Sequence, residues 1–147
     1  MPTDQQTFQN AKTAGDAAAM WWASVLRDPK LDNGDDNPMT ALLTAMSKET
    51  LPGQPMDGLE QFATILAERL NQQLTGDDPN GYTARYGITL SVDYHPDMLL
   101  SGCAQQAGLR GGITDWPWKT CMWVKPDEVS VSYGYLAETQ VIWTKQS

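Results

Sequence analysis

The sequence predicts an α+β fold in the order αααβαβββ: three N-terminal helices, then a mainly antiparallel four-stranded sheet with one inserted helix. Apolar residues recur at helical spacing as far as about residue 75, and beyond residue 86 the period switches from 3.6 to 2. The chain has 147 residues, 41% of them hydrophobic and 19% charged. A chain of that size can bury on the order of 70% of its unfolded surface, so it reads as one domain over 1–147, helical over about 5–75 and sheet-forming over about 86–145.

Over 5–27, Phe8, Ala11, Ala14, Ala18, Trp22 and Leu26 repeat on one side, which predicts a single amphipathic helix. Asp28-Pro29 stops it, because proline lacks an N–H and pushes the preceding residue out of the α region. The run from Lys30 to Asn37 is turn-rich, and Asn37 with Pro38 then opens a second helix that reaches about Glu49. Asp57 and Glu60 have capping-box spacing ahead of the stripe Leu59, Phe62, Leu66, Leu70 and Leu74, a third helix closed by the turn residues 76–81. Ile88, Leu90, Val92 and Tyr94 alternate with polar residues as a half-buried strand. Next comes a short helix with Leu100, Cys103, Ala104 and Ala107 on one face and Gly108 just past its end. Thr120–Val124 and Val129–Tyr135 are strands around the turn Lys125-Pro126-Asp127-Glu128, and Thr139–Lys145 is a last strand with Val141 and Trp143 on one face. On this reading Trp123 and Trp143 belong to the core, as does each of the two cysteines.

Composition narrows the partners. The formal net charge is −8, from 18 acidic and 10 basic residues, and the acids divide into 13 Asp and 5 Glu. Residues 1–83 hold 12 acidic and 5 basic side chains, a net of −7, and residues 84–147 hold 6 and 5, a net of −1. Such a chain is repelled by nucleic acid and by anionic membranes, which require a basic footprint. Its acidic half suits a basic protein surface or serves solubility. No apolar run approaches the roughly 18 residues of a membrane span. The start Met1-Pro2-Thr3-Asp4-Gln5 has no leader pattern, and two cysteines, Cys103 and Cys121, make no disulfide framework. A cytoplasmic protein is expected.

Candidate chemistry is sparse. Asp32-Asn33-Gly34-Asp35-Asp36-Asn37 gathers oxygen ligands but places Gly34 where a calcium loop needs its third-position ligand. It is read as a turn whose carboxylates, Asp32, Asp35 and Asp36, face a basic partner. The only histidine, His95, lies between Asp93 and Asp97, yet a strand end and a helix start need not bring the three side chains together. Gly108-Leu109-Arg110-Gly111-Gly112 follows a helix rather than opening one, so it lacks the N–H array of a phosphate loop. Arg85 and Arg110, in the less acidic half, are candidates for holding a small anion, with Trp116 and Trp118 as a stacking platform, or else as a lid folded on the core. Trp21 and Trp22 point roughly 100° apart on a helix, which sets Trp22 in the core and Trp21 at its rim as an anchor for a partner or a second copy.

The phrases Trp21-Trp22, Asp32-Asn33-Gly34-Asp35, Ser91-Val92-Asp93-Tyr94, Pro117-Trp118-Lys119 and Val129-Ser130-Val131-Ser132-Tyr133-Gly134-Tyr135 carry no enzyme motif. Over its whole length, in size, acidity and lack of such a motif, the chain resembles in type the compact acidic proteins that phages use against host defence. That resemblance implies inhibition by stoichiometric binding and assigns no residue a role. The sequence thus favours a non-enzymatic binder, without cofactor or metal, that occludes a basic surface of a host defence or nucleic-acid-handling protein in a bacterial cytoplasm. Its partner contacts would be Asp32, Asp35, Asp36 and Trp21. The second expectation is a binder of a nucleotide-like anion through Arg85, Arg110, Trp116 and Trp118.

Overall fold

The computed structural model describes residues 8–27, 56–76, 87–110 and 115–145. They form α1 (Ala14–Val25), α2 (Met56–Thr75), β1 (Ile88–Val92), α3 (Met98–Gln106), β2 (Thr120–Val124), β3 (Glu128–Ser132) and β4 (Thr139–Thr144). The class is α+β, and the four strands make one antiparallel sheet in the order β1-β2-β3-β4. Among the described residues two helices, not three, precede the sheet; the expected helix over 38–49 lies outside them. The first helix also starts later than expected. Thr13 is an extended N-cap whose hydroxyl accepts from Asp16 N–H, and ahead of it Phe8 and Gln9 are a separate helical piece ended by the bond from Ala11 N–H to the Phe8 carbonyl. The apolar spacing runs on through this break because Phe8 and Ala14 both still reach the core.

One core cluster draws on every described helix and strand. Helix α1 lies on the sheet with α2 packed along it, and α3 meets α2. The α1–α2 contact is close because α1 presents Ala14, Gly15, Ala17, Ala18 and Ala19, all buried. Three groups lock its end: Thr13 Oγ1 donates to Asn71 Oδ1 (2.9 Å), and Asn71 Nδ2 donates to Asp16 Oδ1 (3.1 Å).

The register sorts the strand residues into two faces. On the helix side run the rows Ile88–Val124–Val129–Trp143 and Leu90–Met122–Val131–Gln140; on the far side run Thr89–Trp123–Ser130–Val141 and Ser91–Cys121–Ser132–Thr139. Three expectations are corrected by this register. Trp123 alternates with the buried Met122 and Val124, so it stands on the far face and is 36% exposed. Cys121, in the same strand, is half-buried on that face rather than core. Val141 and Trp143 do not share a face: a β-bulge opposite Val129/Ser130 lets Ile142 and Trp143 both turn inward and leaves Val141 exposed.

Helix α3 ends as its glycine predicts. Gly108 has φ +75°, Leu109 N–H donates to the Ala104 carbonyl (2.9 Å), and Gly108 N–H to that of Gln105 (3.2 Å), a Schellman cap with Leu109 folded onto the core.

Candidate functional site

The aromatic residues form the framework on which a site can be built. Tyr133, Trp21, Trp22, Trp116 and Phe62 make a continuous row of ring contacts with centroids 5.0–6.2 Å apart, from the end of β3 through α1 to α2. Two expectations are corrected here. Trp21 does not stand at the rim: it is 5% exposed, since the sheet and Tyr133 lie against it just as the core lies against Trp22. Trp116 and Trp118 offer no stacking platform, at 0% and 2% exposed. Trp116 packs on Trp22 and Phe62 and donates through Nε1 to the Arg110 carbonyl (3.4 Å), while Trp118 meets Tyr94 edge to face.

What remains accessible of Trp21 faces a groove between α1 and the β3–β4 connection, with a volume of about 350 Å³. Its apolar lining is Phe8, Trp21, Val25, Val131, Tyr133 and Ile142. The polar lining is Ser24, Glu138 and Gln140, with no lysine or arginine among the described residues. The groove exists because β4 carries Gln140, not an apolar residue, in the helix-side row beside Val131, while the bulge pulls Ile142 inward below it. Tyr135 and Leu136, in the same connection, are 46% and 86% exposed, and Leu136 holds a left-handed φ of +57°. Glu138 is exposed and, among the described residues, pairs with no cation. Sequence patterning does not find this groove, because no periodicity marks a strand residue as polar at the lip of an apolar cavity. On the sequence reading Glu138 falls outside the strands and Gln140 within the last one, with nothing to bring them to a cavity.

The remaining candidates are dispersed. Arg110 Nε lies 3.2 Å from Asp115 Oδ1, so its charge is met within the chain. Arg85 and the loop of Asp32, Asp35 and Asp36 lie outside the described residues. Asp93, His95 and Asp97 do not converge. His95 is exposed, and Asp93 pairs with Lys119, whose ammonium sits 4.7 Å from the Tyr94 ring centre. The hydrogen bond to Asp93, chiefly, holds the Lys119 ammonium above its ordinary pKa. Asp97 is structural: Oδ1 accepts from Leu100 N–H (2.9 Å) as the N-cap of α3, and Oδ2 from Ser91 N–H (2.7 Å). Burial raises the thiol pKa of both cysteines; at Cys103 Arg69 counters this in part, and Asp97 adds to it at each. Among the described residues no three His, Cys, Asp or Glu side chains gather as metal ligands, and no helix is long and apolar enough to cross a membrane.

The fold and groove define an α+β protein in which a four-stranded antiparallel meander is covered on one face by helices. No family model matches the chain, and a search of curated proteins likewise finds no match.

Proposed function

We propose that the chain acts by stoichiometric binding: it covers a basic surface of another protein, of the kind that handles nucleic acid or defends a bacterial host, as phage-type inhibitors do in the host cytoplasm. The observation that carries this reading is the charge. A formal −8 with a pI near 4.4 favours association with a basic protein surface and opposes association with nucleic acid. Asp32, Asp35 and Asp36, grouped in the most acidic stretch, supply the electrostatic contacts. Trp21 takes part as the wall of a groove rather than as a protruding anchor.

The test is capture from a nuclease-treated bacterial lysate with the tagged chain and with its Asp32→Lys/Asp35→Lys/Asp36→Lys variant. The expected result is a stoichiometric basic protein, released by high salt and lost in the variant, whose circular dichroism and unfolding midpoint stay unchanged. Equal capture by the charge-reversed chain would remove the reading.

A further inference from the structure

We infer that the groove between α1 and the β3–β4 connection receives an arginine side chain of the basic partner, its stem against Trp21 and Tyr133 and its guanidinium at Glu138. This rests on the binding reading above and names the pocket and the partner chemistry that reading lacks.

Shape comes first. At about 350 Å³ the groove lies at the small end of sites that take a ligand group, room for one long side chain with its water rather than for a folded element. Its lining is divided by chemistry, with an aromatic and aliphatic floor and a polar lip of Ser24, Glu138 and Gln140. A purely apolar knob would fit the floor but bury the lip without partners, which costs free energy. An anionic group would meet Glu138 and, among the described residues, no cation. A side chain with an aliphatic stem and a cationic end matches both parts.

Arginine suits the site better than lysine. Its planar guanidinium stacks on aromatic rings and offers several donors at once, to a carboxylate and to the Gln140 carbonyl oxygen. The aromatic wall is prepared in advance. Trp21 is held edge to face by Trp22 on one side (5.0 Å, 89°) and by Tyr133 on the other (5.2 Å, 80°), so little side-chain freedom is left to lose on binding. The carboxylate is available because Glu138 has no cation of its own among the described residues. The exposed Tyr135 and Leu136 belong to the connection that supplies Ala137 and Glu138 to the groove, and offer apolar surface for a partner to cover beside the inserted arginine.

The experiment is a titration of the ¹⁵N-labelled full chain, at low salt, with acetyl-Arg-Arg-amide, acetyl-Lys-Lys-amide and acetyl-Leu-Leu-amide. With the arginine peptide, the Trp21 indole N–H and the backbone amides of Glu138 and Gln140 should shift together and saturate. The lysine peptide should bind more weakly and the leucine peptide should leave them in place. Glu138→Gln, at an exposed position, should weaken the arginine peptide about threefold, and Gln140→Glu should strengthen it by a similar factor, the range of one surface charge contact. Arginine-induced shifts confined to other acidic surface would overturn the groove assignment and leave the binding reading standing. Equal response to the leucine peptide, with Glu138→Gln without effect, would overturn recognition of a cation. Groove shifts that follow protein concentration alone would mean a second copy fills it and would also overturn the inference. No shift anywhere would overturn it and weaken the binding reading with it.

Discussion

At Gly15 helix α1 lies hard against Asn71 of α2. A Cβ built there would lie 2.8 Å from Asn71 Cγ and 3.1 Å from the Asn71 backbone nitrogen, closer still to Oδ1. The side chain could swing away only by breaking its bonds to Thr13 and Asp16, and the backbone of α2 could not swing at all. Gly15→Ala should therefore destabilise the fold by about 1–3 kcal/mol, although alanine is the better helix former in isolation. Urea unfolding of Gly15→Ala, Asn71→Ala and the double variant measures it. The pair should be non-additive, with the double variant less destabilised than the two single effects together. A neutral or stabilising Gly15→Ala would show that α1 and α2 have room to spare. The sequence alone shows Gly15 only as one more small residue in an alanine-rich stripe. What makes it indispensable is a side chain 56 positions away.

Among the described residues, each outer strand of the sheet is met at one position by a side chain that takes the place of a neighbouring strand. At β1, Asp97 Oδ2 accepts from Ser91 N–H while Asp97 N–H donates to the Ser91 carbonyl (2.9 Å), and Val92 bridges to Pro96. At β4, Gln9 Nε2 donates to the Thr144 carbonyl (2.7 Å) and Oε1 accepts from Thr144 N–H (3.1 Å). Trp143 Nε1 adds a bond to the Ala11 carbonyl (2.9 Å). Open edges invite pairing with other chains, so these contacts protect as well as stabilise. Asp97→Ala removes an N-cap and an edge bond together and should cost about 2 kcal/mol. Gln9→Ala should cost less, about 1 kcal/mol, but should abolish hydrogen-exchange protection of the Thr144 amide and raise aggregation on mild heating. Retained protection at Thr144 would mean that another group closes the β4 edge. The strands are legible from alternation, and α3 from its apolar face and from Gly108 behind it, whereas the cap itself, Asp97, is set by the structure. The closure of the β4 edge is not legible, because Gln9 and Thr144 are 135 residues apart. The inward turn of Trp143 past Val141 was equally hidden, since a bulge inserts a residue without changing the composition of the strand.

For the molecule as a whole, its charge acts in opposite directions on folding and on the binding proposed here. Compaction brings carboxylates together, and of the two described ion pairs Lys119–Asp93 is exposed enough to contribute little, while Arg110–Asp115 joins a partly exposed guanidinium to a buried carboxylate. Self-repulsion from the formal −8 should therefore outweigh them. Raising NaCl from 20 to 300 mM shortens the screening length from about 20 Å to about 6 Å, so at pH 7 it should raise the unfolding free energy, by on the order of 1 kcal/mol. Capture of a basic partner should weaken over the same range, because screening removes the attraction that steers it. The increment in stability should fade near pH 4.4, where the chain is close to its isoelectric point and little net charge is left to screen. Urea midpoints at two salt concentrations and both pH values decide the matter. A midpoint at pH 7 that is flat or falls with salt would mean that ion pairs, not repulsion, dominate the surface. The acid excess would then be compensated within the chain, leaving less charge to draw a basic partner.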